Sequence, residues 1–147
     1  MLKIVTKTFS ELTTEELYQL LQLRSEVFVV EQDCVYQDID DKDQVALHVL
    51  GYDGFRLVAY TRIFKPGDYF KEASIGRVVV KQKERNKAYG YEIMKASIQA
   101  VSTNYNTDNI RISAQLYLTR FYNNLGFKEV GEEYLEDGIP HINMLKD

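Results

Sequence analysis

The chain has 147 residues, 45% of them hydrophobic and 27% charged, which is the length of one ordinary domain and a globular composition. No apolar run approaches the ~20 residues of a bilayer span, and the opening MLKIVTKTF lacks the apolar stretch of a secretion signal. A net charge of −4 argues against nucleic acid as the partner; the single cysteine, Cys34, excludes an internal disulfide, suits a reducing cytoplasm and leaves no Cys/His cluster for a metal.

Taken in order, Leu2 to Val5 reads as a short strand. Thr13-x-x-Glu16 is a capping box, and Leu17, Leu20, Leu21 and Phe28 follow it at helical spacing. Val45 to Tyr52 and Phe55 to Phe64 read as strands joined by Asp53-Gly54. Pro66-Gly67 marks a turn before a strand from about Ala73 to Val80. A helix from about Ala88 to Val101 has an apolar side of Ile93, Met94, Ile98 and Val101, and ends at the Asn-rich residues from Asn104 to Asn109. Ile110 to Gln115 is a further strand. Leu118, Phe121, Tyr122 and Leu125 sit at i, i+3, i+4 and i+7, a short helix closed by Gly126. Phe127 to Tyr134 and Ile139 to Leu145 form a hairpin across Asp137-Gly138. The order β-α-β-β-β-α-β-α-β-β predicts an α/β (α+β) fold in one domain, residues 1–147, with a mixed central sheet and helices on its faces.

The stretch IGRVVVKQKERNKAYG, from Ile75 to Gly90, passes from a β-branched strand through a basic turn into a helix start. That order suits a diphosphate, because the first turn of a helix leaves its N–H groups unpaired and carries partial positive charge. Small residues at Ala88 and Gly90 let phosphate oxygens approach the backbone, and Arg85 and Lys87 add charge. The competing structural reading is a small-residue turn of the kind found in many α/β proteins.

The same stretch resembles the pyrophosphate loop of the GNAT superfamily of N-acetyltransferases, Arg/Gln-x-x-Gly-x-Gly/Ala, here Arg85, Ala88 and Gly90. Alanine in place of the first glycine implies an ordinary helical conformation at Ala88, since positive φ is costly for it. Gln115-Leu-Tyr-Leu-Thr-Arg-Phe-Tyr-Asn-Asn-Leu-Gly-Phe127 is similar to the family signature Asn-x-x-Ala-x-x-hydrophobic-Tyr-x-x-x-Gly-Phe. Leu23-Arg24-x-x-Val27-Phe28-Val29-Val30-Glu31-Gln32, Ala46-Leu47-His48 and Glu136-Asp137-Gly138-Ile139-Pro140-His141 resemble the ElaA-like branch. These blocks span nearly the whole chain in the expected order.

The resemblance implies the GNAT acyl-CoA N-acyltransferase fold and transfer of acetyl from acetyl-CoA to an amine of a small molecule or peptide. It places the pantetheine arm on the backbone of Val78, Val79 and Val80, and the diphosphate on Arg85, Asn86, Lys87, Ala88, Tyr89, Gly90 and Tyr91. Gln115 occupies the position of the family's cofactor-binding asparagine, one methylene longer. Tyr122 matches the tyrosine that protonates the CoA sulfur, a role open to a phenol that stays protonated up to a pH of about 10. The rival role for Tyr122 is core packing. Glu31 and His48 are candidates for the base or for the start of a water chain, with His141 and Glu136 behind them; His48 could equally be structural and Glu31 merely exposed. The family often pairs through its C-terminal strands as a homodimer.

Acidic residues gather at Asp33, Asp38, Asp40, Asp41 and Asp43, either as a solvated loop or as a mouth that steers a cationic acceptor. Cys34 lies among these carboxylates, which oppose thiolate formation, so direct transfer is expected rather than an acyl-cysteine. The alternative to an enzyme is a non-catalytic acyl-CoA-binding sensor.

Overall fold

Alternating apolar residues on strands flanked by amphipathic helices require a sheet covered on both faces, and the computed structural model, which describes residues 1–147, has that architecture. Its elements are β1 (Lys3–Thr8), α1 (Thr14–Arg24), β2 (Leu47–Asp53), β3 (Arg56–Phe64), β4 (Ala73–Val80), α2 (Tyr89–Tyr105), β5 (Ile110–Gln115), α3 (Thr119–Asn123), β6 (Lys128–Glu136) and β7 (Ile139–Lys146). The seven strands form one mixed sheet in the order β1-β2-β3-β4-β5-β7-β6, antiparallel except where β4 runs parallel to β5.

Two cores lie on the two faces. Val49, Val58 and Ala59 point toward α2, where Ile93, Met94 and Val101 cover them. Their neighbours Leu50, Leu57 and Tyr60 point the other way, under Leu20 and Leu23 of α1. Val49 and Leu50 alternate with the two-residue period of a strand, while a bulge opposite Gly51 and Tyr52 leaves Val58 extra and puts Val58 and Ala59 on one face. The capping box at Thr13 forms as the sequence predicts: Glu16 N–H donates to Thr13 Oγ1 at 3.0 Å, and Thr13 N–H donates to Glu16 Oε1 at 2.8 Å. The last hairpin turns through Asp137 and Gly138, both at positive φ (52° and 78°), the geometry of a tight two-residue turn.

The helical spacing expected from Leu17 to Phe28 changes form at its end. Ser25–Glu31 winds as a π-helix, closed by Gln32 N–H to the Val27 carbonyl at 3.1 Å and Cys34 N–H to the Val29 carbonyl at 3.1 Å. Wide turns of this kind are rare and concentrate at functional sites. This one swings Glu31, Gln32 and Cys34 toward the sheet.

Candidate active site

Strand β4 pairs with β5 only at Ala73 with Ile110 and Ser74 with Arg111. Beyond Ser74 the two strands part. The cause is a bulge: Tyr60 faces Val79 and Arg62 faces Gly76, so Arg77 and Val78 together oppose Thr61, with Arg77 at φ 50°. The parting opens a cavity of about 700 Å³, lined on one side by Gly76 to Val80 and on the other by Ile112, Ser113 and Gln115. Past Ser74 the edge of β4 that faces β5 has no partner strand, and Val78, Val79 and Val80 line the cavity there.

The turn after β4 ends at α2, which has no side-chain cap at its first turn. Asn86 (φ 74°) and Ala88 (φ 62°) both adopt the left-handed conformation, with Lys87 at negative φ between them. Alternating hand curls successive N–H groups into an anion-binding concavity. The expected ordinary helical conformation of Ala88 is therefore corrected: Ala88 is the residue before the helix, and the chain needs positive φ there to turn from the strand into α2. Two further roles change. Lys87 does not line the cavity; its ammonium pairs with Glu84 at 2.5 Å. Gly90 is small for a packing reason, since a Cβ there would lie 3.3 Å from the Phe121 ring.

Arg85, Asn86, Ala88, Tyr89, Gly90 and Tyr91 all line the cavity. Arg85 donates to the Val80 carbonyl at 3.1 and 3.2 Å, and its guanidinium grips Glu31 at 2.5 and 2.9 Å. Glu31 is thus neither merely exposed nor free to act as a base, because both carboxylate oxygens are committed to a cation. Next to it, Gln32 and Gln115 exchange amide hydrogen bonds at 3.3 and 3.4 Å across the gap. The end of the π-helix therefore touches both walls of the cavity.

Tyr122 projects from α3 into this space and is only 5% exposed. Burial, with Tyr117 adding to it, pushes its phenol well above the ordinary range, so it remains protonated at any physiological pH. Its neighbours Phe121 and Phe127 meet it edge-on at 5.0 and 6.0 Å and fix the ring.

The other expected base does not survive. His48 is fully buried and outside the cavity. Its Nε2 donates to the Asp43 carbonyl at 2.9 Å and its Nδ1 accepts from Tyr60 Oη at 2.6 Å. Burial pushes its protonation below the ordinary histidine range, and it has no lone pair to spare. Of the five expected acidic residues, Asp38, Asp40 and Asp43 are not free charges. Arg24 binds Asp38 and Asp43, each at 2.8 Å; Arg62 binds Asp40 at 2.6 Å and Asp43 at 2.8 Å; and Arg77 binds Asp38 at 2.8 Å and Asp40 at 3.4 Å. Three carboxylates meet three guanidiniums, and the network is structural rather than steering. Sequence spacing cannot show this, because the arginines come from α1, β3 and β4.

His141, Glu136, Ser113, Tyr36 and Cys34 line the end of the cavity away from α2. Cys34 Sγ donates to the Asp137 carbonyl at 3.3 Å, tying the segment after the π-helix to the β6–β7 turn. Ser113 and Tyr134 were not singled out by sequence. The signal for Ser113 is its position two residues before Gln115 on the same strand face.

The acetyltransferase (GNAT) domain profile matches residues 8–147. Protein ElaA of Escherichia coli (strain K12) is 43% identical over 140 residues, covering 94% of this chain and 92% of ElaA. A UPF0039 protein of Synechocystis is 40% identical over 138 residues, covering 93% of this chain and 90% of that protein. Among solved structures, an acyl-CoA N-acyltransferase from Pseudomonas aeruginosa superposes with a TM-score of 0.94 at 40% identity, with full coverage of both chains (100% each). The crystal structure of E. coli ElaA gives 0.93 at 40% identity, again covering 100% of each. A split β4–β5 pair, an uncapped helix start beside it and a matching profile over nearly the whole length carry one conclusion: the chain belongs to the acetyltransferase (GNAT) domain family, with ElaA among its homologues.

Proposed function

We propose that this protein transfers an acetyl group from acetyl-CoA directly to an amine, with Tyr122 as the proton donor to sulfur. The observation that carries the reading is the free edge of β4, which leads from the uncapped start of α2 to the Tyr122 ring within one cavity. The residues fit the donor. Val78 to Val80 offer backbone partners to its amides, and the N–H groups from Asn86 to Tyr91 offer an anion cradle. Arg85 lines the cavity as a cation while it stays paired with Glu31, and Gln115 offers an amide when it leaves Gln32. Attack by a neutral amine breaks the C–S bond, and the Tyr122 hydroxyl protonates the departing thiolate.

The test is calorimetric binding of CoA and acetyl-CoA, followed by a mass-spectrometric screen of polyamines, amino sugars, amino acids, arylalkylamines and peptides as acceptors. Binding of the donor and a mass gain of one acetyl group on an amine are expected, with no acetylated protein in the intact-mass spectrum. Absence of donor binding to the folded chain would sink the reading. Binding without transfer to any amine would favour the sensor, and an acetyl-Cys34 species would replace direct transfer by double displacement.

A further inference from the structure

The donor half of the cavity leaves one polar group unused, on β6 and β7. His141 Nδ1 lies 2.6 Å from the Ile139 carbonyl, which can only accept, so Nδ1 carries the hydrogen. In the neutral ring Nε2 then presents a lone pair, and it faces Glu136 Oε2 at 3.5 Å. Glu136 Oε1 accepts from Ser113 Oγ at 3.2 Å, and Ser113 in turn bonds the Tyr134 hydroxyl. With the ring neutral, two acceptors face each other with no donor between them. Such a pair is completed by a group that brings its own N–H bonds and positive charge.

Two cations lie nearby, Lys42 over the Tyr69 ring at 5.7 Å and Arg111 over the Phe70 ring at 5.9 Å. From β5, Arg111 is committed to Glu72 at 3.0 Å. From β6, Tyr134 lies stacked over the His141 ring at 6.0 Å. Asp137 follows Glu136 in the turn, and the Cys34 thiol approaches from the segment after the π-helix. From the β3–β4 connection comes Tyr69. Tyr69 lines the same cavity as Glu136 and His141. Tyr69 also stacks on Phe64 at 5.0 Å and meets Phe70 edge-on at 4.9 Å, giving the cavity an aromatic wall.

We infer that Glu136 and His141 form the acceptor subsite, where a primary ammonium on an apolar or aromatic body bridges Glu136 Oε2 and His141 Nε2 and gives its proton to His141. The inference rests on the acyl-transfer reading and gives that reaction its base and its acceptor class. One ammonium proton passes to Nε2 and later to solvent. The neutral nitrogen then bonds the thioester carbon, the C–S bond breaks, and the sulfur takes the Tyr122 proton. The second proton lost by the nitrogen restores the Tyr122 phenol. One acetamide, one thiol and one released proton balance the reaction.

The chain has two histidines, so imidazole NMR separates His141 from His48 without ambiguity. With CoA bound, titration of 2-phenylethylamine should move the His141 Nε2 resonance and leave His48 unchanged. In acetyl transfer to the same amine, Glu136→Gln should raise KM for the amine roughly tenfold or more with kcat nearly retained. His141→Gln should instead lower kcat and remove the acidic limb of the kcat/KM profile. CoA binding with no response of His141 to the amine overturns the inference while leaving acyl transfer standing. So does a His141→Gln enzyme with the wild-type pH profile. Failure of the wild-type protein to bind CoA in the same samples overturns acyl transfer instead.

Discussion

Tyr122 carries a hydroxyl where a packing role alone would need none, since Phe121 beside it and Phe127 below already fill the aromatic cluster. Tyr122→Phe removes one oxygen and keeps the ring, so α3 should pack as before. General acid catalysis contributes about 10²–10⁴-fold, and solvent can replace part of it, which sets the expected loss near about 10²-fold. It should fall on kcat and kcat/KM together, because the proposed hydrogen bond to sulfur would form only as the C–S bond breaks. Steady-state kinetics with calorimetric donor affinity checks this; full turnover at unchanged affinity would return Tyr122 to the core.

At the scale of elements, the turn into α2 combines a basic residue, two left-handed residues and an uncapped helix start. A left-handed L-residue other than glycine costs about 1–2 kcal/mol, and Ala88 bears that cost without a side-chain hydrogen bond in return. Ala88→Gly should therefore stabilise the protein by about 1 kcal/mol, a rise of a few degrees in Tm, by removing the Cβ that opposes φ 62°. Differential scanning calorimetry reads the shift directly; a fall in Tm would mean that the gain is outweighed by the freedom a glycine adds to the unfolded chain. The π-helix works at the same scale. By adding a residue to each turn it brings Glu31 to Arg85 and Gln32 to Gln115, contacts that an α-helix of the same sequence would direct elsewhere.

Across the whole molecule, the segment from Asp38 to Asp43 is fastened to α1, β3 and β4 by ion pairs rather than by apolar side chains. Burial opposes ionisation of Asp40, but the hydrogen bonds and charge of Arg62, with Arg77 behind, outweigh it and hold this carboxyl down at about 2. Asp43 is lowered in the same way, with Arg24 and then Arg62 overcoming burial. Their folded values lie below the unfolded one of 3.8, so this stability is present above that pH and is lost as pH falls through the folded values. His48 acts in the same direction at a higher pH. Its folded value lies below the unfolded 6.5, so the unfolded chain takes up a proton first and stability declines as pH falls through that point. Urea unfolding followed from pH 7.5 downward should show a shallow decline beginning near about 6.5 and a steeper one below about 4. A midpoint that stays constant to pH 3 would mean that the aspartate pairs do not hold the segment.

Local signals in the sequence determined the order of elements, since each rests on contacts within a few residues. Thr13 and Glu16 cap α1, Asp137-Gly138 turns the last hairpin, and the two-residue period from Ile110 to Gln115 sets a strand. The strand, turn and helix start proposed for the donor were legible for the same reason, because β4, its turn and the start of α2 are contiguous in the chain. The surroundings of the residues proposed for the acceptor were not. The carboxylates of Asp38, Asp40 and Asp43 read as free charge until α1, β3 and β4 brought Arg24, Arg62 and Arg77 to them. His48 and His141 are both strand histidines, and only packing separates one saturated by Tyr60 and Asp43 from one whose Nε2 meets a carboxylate in a cavity. A charge or a lone pair acts according to what lies within about 4 Å of it, and in this protein those neighbours come from strands and helices far apart in sequence.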